Sequence, residues 1–104
     1  MTRAERQEKI EETRNAKYHK QGGRCANCGR AVPFSRFQLA HVIPQRKWCI
    51  SHFGAKVIHH PLNMRGVCGL ECNAAVQIQP DSAEAGWFAE TIREAIDGDP
   101  DEVW

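Results

Sequence analysis

Between Thr13 and Leu70 the chain contains no aspartate and no glutamate. The same stretch carries ten basic residues: Arg14, Lys17, Lys20, Arg24, Arg30, Arg36, Arg46, Lys47, Lys56 and Arg65. A domain core so free of carboxylates presents a positive surface. DNA is the expected partner, because phosphate contacts supply most non-specific affinity. The shortage is local rather than global. Residues 1–60 hold 12 Lys/Arg and 4 Glu, a net of +8, and residues 61–104 hold 2 Arg and 9 Asp/Glu, a net of −7, leaving +1 for the chain. Long apolar runs are also missing: nothing approaches the ~18 residues of a transmembrane helix. The start, Met1-Thr2-Arg3-Ala4-Glu5-Arg6, has charges without an apolar segment behind them, so no signal peptide is expected. That points to the cytoplasm, of a bacterium or a phage-infected host, where paired cysteines read as metal ligands rather than disulfides. No internal repeat or low-complexity segment is visible. At 104 residues the chain reads as one small domain, of a size at which a structural metal is a common source of stability.

Residues 3–19 are rich in good helix formers, with Glu5 and Lys9 at i,i+4 and a thin apolar face of Ala4, Ile10, Ala16 and Tyr18. Such a helix is either packed along one side or an arm reaching along DNA. Gln21-Gly22-Gly23 ends it. Weak alternation over 34–43 predicts a β-strand, one arm of a hairpin, stopped by Pro44. Residues 45–60 read as a loop, with a short helix or second strand around Ala55–His60, and Pro61 opens a new element. A helix is expected over 68–78, ended by Pro80. A last helix carries Phe88, Ile92, Ala95 and Ile96 on one stripe, with Asp81 as its cap and Gly98 as its end. The tail from Asp97 is acidic and expected to fray. The layout is an N-terminal helical arm (1–20), a metal-bound core (21–79) and a C-terminal helix with its tail (80–104), an α+β fold.

Two cysteine pairs, Cys25-Ala-Asn-Cys28 and Cys68-Gly-Leu-Glu-Cys72, bracket His41. Four thiolates can close a structural zinc site, and Gly29 suits the tight turn that brings backbone N–H groups to a thiolate. His59 or His60 could replace one cysteine in a mixed site. The fifth cysteine, Cys49, lies between Trp48 and Ile50 and reads as a buried structural thiol.

The run Gly22-Gly23-Arg24-Cys25-x-x-Cys28, Ala40-His41-Val42-Ile43-Pro44, Asn63-Met-Arg-Gly-Val-Cys68, Cys72-Asn73 resembles the HNH endonuclease family, most of all its small zinc-containing members from phages and bacteria. The resemblance spans roughly residues 20–78. It implies a zinc-stabilised ββα-metal fold, treble-clef-like, flanked by N- and C-terminal helices. It also implies metal-dependent hydrolysis of DNA phosphodiesters, leaving 5′-phosphate and 3′-hydroxyl ends. By the same resemblance His41 is the general base. Asn63 braces the loop and orients the histidine, and Asn73 ligates a catalytic divalent ion, Mg²⁺ or Mn²⁺. Arg46, Lys47 and Arg65 are candidate phosphate contacts.

One position departs from the family pattern. Ala40 stands where Asp, Glu or His usually supplies a second metal ligand. Three readings follow. Asn73 holds the ion with waters and phosphates; or His59 or His60 joins it, favouring a softer ion; or the site is inactive and the chain is a zinc-containing DNA-binding or interaction module. A protein-interaction role for the acidic C-terminal helix is a further alternative. The sequence leaves monomer against dimer open.

Overall fold

The computed structural model describes residues 2–98; the acidic tail beyond Gly98, with its expected fraying, lies outside the described residues. The elements are α1 (Arg3–Lys20), β1 (Gln38–His41), α2 (Lys47–Phe53), α3 (Ala55–Ile58), β2 (Met64–Val67), α4 (Leu70–Ala75) and α5 (Ala83–Gly98), with 3₁₀ turns at Phe34–Arg36 and Pro61–Asn63. The class is α+β, with one two-stranded antiparallel sheet. The chain divides into two compact units: residues 2–40 with Arg65–Val76, and His41–Met64 with residues 77–98.

In the first unit α1 starts at Thr2, whose hydroxyl accepts from Glu5 N at 3.1 Å, and its last turn carries Lys17, His19 and Lys20. An acid first and cations last both suit the helix dipole. The helix is packed rather than a free arm. Arg14 Nε donates to Phe37 O at 2.8 Å, a second guanidinium nitrogen donates to Phe34 O, and the guanidinium lies 4.1 Å from the centre of the Phe34 ring. Tyr18 OH donates to Val32 O at 2.9 Å. Gly22 and Gly23 then turn the chain at φ +65° and +70°. The unit's core is Cys25, Val32, Phe37, Ala40, Val67 and Cys72.

Gln21 ties this unit across a long sequence separation. Its side-chain Oε1 accepts from Gly66 N at 2.9 Å, and its Nε2 donates to Gly66 O at 3.0 Å. The amide thus treats the middle of β2 as a neighbouring strand would. Gly66 has no alternative residue here, since a Cβ built on it would overlap the Phe37 ring.

In the second unit Ile43, Cys49, Phe53, Val57 and Ile58 form a core with Ala85, Ala89 and Ile92 of α5. Cys49 is fully buried there, as its apolar neighbours suggested. Arg93 of α5 donates to Phe53 O at 3.3 Å, fixing the end of α2.

Five expectations need correction. The strand over 34–43 is shorter: Pro33 leads into a 3₁₀ turn, and pairing covers only Gln38–His41. Its partner β2 comes after residues 42–63, so the two strands do not make a tight hairpin. The expected loop over 45–60 contains α2 as well as the short α3. Cys49 and Phe53, four apart, both face the core, and Gly54 at φ +96° ends α2. The helix over 68–78 covers only Leu70–Ala75 and ends before Pro80 can act on it. The last helix is capped by Ser82, whose hydroxyl accepts from Ala85 N at 3.2 Å, and not by Asp81.

Candidate functional site

The sulfurs of Cys25, Cys28, Cys68 and Cys72 all lie within 4.8 Å of one another, so the four cysteines could hold a metal ion. The first pair is set by a turn in which Gly29 N donates to Cys25 O at 3.0 Å and Gly29 takes φ +76°. Cys68 follows β2, and Cys72 sits on the first turn of α4. That is how a three-residue spacing brings two sulfurs together: Cys68 Sγ and Cys72 Sγ are 3.5 Å apart, and Cys28 Sγ and Cys68 Sγ 3.7 Å. No histidine belongs to this cluster among the described residues.

The surroundings favour thiolate at Cys25 and oppose it at Cys68. Burial pushes the Cys25 thiol up, but N–H groups of Cys28, Asn27 and Cys68 and the Cys28 side chain outweigh it and bring it down to about 6. The Cys68 thiol, bonded to Cys72 and Cys28, is raised to about 12. The cluster shares its protons, and a bound metal would displace them. Asn27 Nδ2 donates to Cys72 Sγ at 3.4 Å. No sequence signal marked Asn27 beyond its place between two cysteines.

The second constellation lies in the other unit. Asn63 is 0% exposed and all three of its side-chain bonds go to buried backbone groups: Oδ1 accepts from Ile43 N at 2.8 Å, and Nδ2 donates to Ile43 O at 3.0 Å and Ile58 O at 2.8 Å. Its own carbonyl accepts from Val42 N at 2.8 Å. Asn63 therefore fixes the two residues that follow His41 and caps the last carbonyl of α3. His41 is half-buried, and its Nε2 is fully buried with no hydrogen-bond partner among the described residues. A buried ring nitrogen in that state needs a function, a water or an ion to account for it. The His59 ring stands edge-on to His41, with centroids 6.0 Å apart. Burial, and then the neighbouring His59, hold the His41 imidazole below its ordinary 6.5. His60 is buried and its Nδ1 accepts from Leu62 N at 3.1 Å, capping the Pro61–Asn63 turn.

Asn73 is half-buried on α4 and belongs to the unit that holds the four cysteines, whereas His41 and Asn63 belong to the other. Glu71 is exposed. Ala40 is 1% exposed and packed with Cys25, Phe37, Val67 and Cys72. Alternation along β1 sends its side chain into that apolar cluster, so an acid at this position would be buried without a partner. Arg46 and Lys47 are exposed, and Arg65 is half-buried on β2. Burial and then Arg65 and Lys20 push the Lys17 ammonium down, so α1 and β2 together gather three cations in the first unit. Lys17 and Lys20 were visible only as members of a basic run. Their meeting with Arg65 depends on the fold.

No family model, curated protein or solved structure matches the chain. No described helix is long and apolar enough to cross a membrane.

Proposed function

We propose that the chain is a metal-dependent endonuclease of the HNH type that hydrolyses phosphodiester bonds in DNA, with His41 as general base and a structural zinc on the four cysteines. One observation carries this reading: a buried, partnerless Nε2 on His41 beside an asparagine whose three buried bonds fix the chain leaving that histidine. A base must be held in position and be neutral at working pH. Asn63 supplies the first, and burial supplies the second.

Zinc suits the cluster on its dimensions. Bonds of about 2.3 Å to four thiolates require sulfur–sulfur edges of about 3.8 Å. The observed 3.5 and 3.7 Å are close to that spacing. Such a closed site is structural, tying residues on either side of the His41–Met64 segment.

For the reaction, the neutral His41 imidazole takes a proton from the attacking water as its oxygen bonds to phosphorus. The 3′-oxygen leaves and the 5′-phosphate is retained. By the motif resemblance Asn73, on α4 of the cysteine-bearing unit, is the candidate ligand for the catalytic ion, since an amide carbonyl is a hard oxygen donor of the kind Mg²⁺ or Mn²⁺ accepts. A divalent ion would supply charge neutralisation at the phosphate and the leaving oxygen. His59 is a nitrogen donor that would favour a softer ion. Each unit has its own cations for backbone phosphates: Lys17, Lys20 and Arg65 in the first, exposed Arg46 and Lys47 in the second.

The test is incubation of supercoiled plasmid with the zinc-loaded protein and Mg²⁺, Mn²⁺ or Ni²⁺. Nicked or linear products in at least one ion, abolished by chelator and restored by that ion, are expected. Absence of cleavage in every ion refutes the nuclease reading. The buried Ala40 favours a second reading, a zinc module that binds DNA without cutting it. That reading predicts salt-dependent retention of the plasmid in its uncut form.

A further inference from the structure

The Arg46–Lys56 segment carries aromatic rings that its core does not need. Trp48 is 51% exposed on α2, although Cys49 and Phe53 of the same helix are buried. The imidazole of His52, one turn on, lies nearly parallel to the indole, at 4.7 Å between centroids and 9° between planes. Phe53 meets Trp48 edge-on at 6.0 Å and His52 edge-on at 4.7 Å. The indole is thus braced on one face and along an edge, while half its surface stays in solvent. A tryptophan kept only for stability would bury that area. Arg46, Lys47 and Lys56 are exposed in the same segment, and residues 44–60 contain no acid. The acids of this unit among the described residues are all at or beyond Asp81.

A rigid aromatic face among cations, with no anion in its own segment, has the chemistry of a base-stacking platform. We infer that Trp48, backed by His52, is a stacking site for an unpaired nucleobase, with Arg46, Lys47 and Lys56 contacting the adjoining phosphates. The inference rests on the DNA reading above but does not need the nuclease. It assigns this face a preference for single-stranded or locally opened DNA, which the cations alone would not give. Stacking tolerates any base, so the site would favour unpaired structure over sequence.

The experiment is equilibrium binding of the zinc-loaded full chain, without added divalent ion, to fluorescein-labelled oligothymidylate and to a duplex of equal length. Trp48→Ala should weaken the single strand roughly 5- to 150-fold, as expected for loss of one stacked base. It should leave the slope of affinity against salt unchanged. Trp48→Phe, which keeps a smaller ring, should retain most of the affinity. Removing Lys47 should instead lower the salt slope. Circular dichroism and zinc content establish that each variant is folded. As a check that needs no variant to fold, the single strand should quench the wild-type tryptophan emission more than the duplex does. Wild-type affinity in a folded Trp48→Ala, or equal quenching by the two DNAs, overturns the platform while leaving the DNA reading standing. Failure of the wild type to bind either DNA overturns both.

Discussion

Replacing Asn63 with alanine removes three hydrogen bonds and opens three buried backbone groups: Ile43 N, Ile43 O and Ile58 O. None can turn to water, because Ile43 and Ile58 are both 0% exposed. A buried polar group left unpaired costs about 1–3 kcal/mol, so the three together should cost about 3–6 kcal/mol once local relaxation is allowed. Against a total of about 5–15 kcal/mol for a small domain, that is enough to unfold much of the second unit. Asn63→Asp should be no better: it keeps the acceptor for Ile43 N but aims a carboxylate at two carbonyls. Urea unfolding followed by circular dichroism, with zinc content measured alongside, reads the effect. The four cysteines belong to the other unit, so stoichiometric metal in a partly unfolded variant is the expected pattern. A loss of stability below about 1 kcal/mol would refute the bracing argument, since an average point substitution costs as much.

Three further predictions follow the same geometry. Gly66→Ala should destabilise the first unit by about 1–3 kcal/mol through overlap with Phe37, and Phe37→Leu should recover part of that; a neutral Gly66→Ala melting curve would show that the overlap relaxes freely. Ala40→Asp, which introduces the acid usual in the family that the motif resembles, should lower the denaturation midpoint and fail to raise Mn²⁺ affinity by calorimetry, because its carboxylate enters the Cys25–Phe37–Val67 cluster; tighter Mn²⁺ binding at unchanged stability would contradict this. For His41, the lowered pKa means that the folded protein holds fewer protons than the unfolded chain just below pH 6.5, so stability from this group is intact above 6.5 and falls as pH drops through it. NMR titration should place the His41 midpoint below 6.5. His59→Gln should raise that midpoint without bringing it to 6.5, since burial, the larger cause, remains; a wild-type midpoint at or above 6.5, or a fall in the variant, would contradict the assignment.

The features legible in the sequence are those written in local spacing. The cysteine pairs predicted one four-sulfur cluster, and the stripe of Phe88, Ile92 and Ile96 predicted α5. Helix α1 was readable from composition, but its attachment was not: it depends on Arg14 and Tyr18 donating to carbonyls in the residue 32–37 segment. Helix α2 was missed because Trp, Ile, His and Phe are indifferent helix formers; packing of Cys49 and Phe53 overrides that preference. Strand β2 is four residues long with a glycine inside, and its pairing is completed by Gln21, 45 positions away. The Ser82 cap was misread because Asp81 and Ser82 are both good caps, and only the hydrogen bond to Ala85 decides between them. For the histidine site, the roles of His41 and Asn63 came from the motif resemblance. The partnerless Nε2 and the bonds to Ile43, 20 residues away, and to Ile58 are consequences of the fold that the motif spacing does not encode.

The role proposed for His41 as the base of a DNA-cutting site stands or falls on the single-turnover rate of plasmid nicking by wild type and His41→Ala, purified identically and matched for zinc content and DNA affinity. The variant should lose about 100-fold or more, the usual contribution of a general base. Equal rates for the two proteins would contradict it.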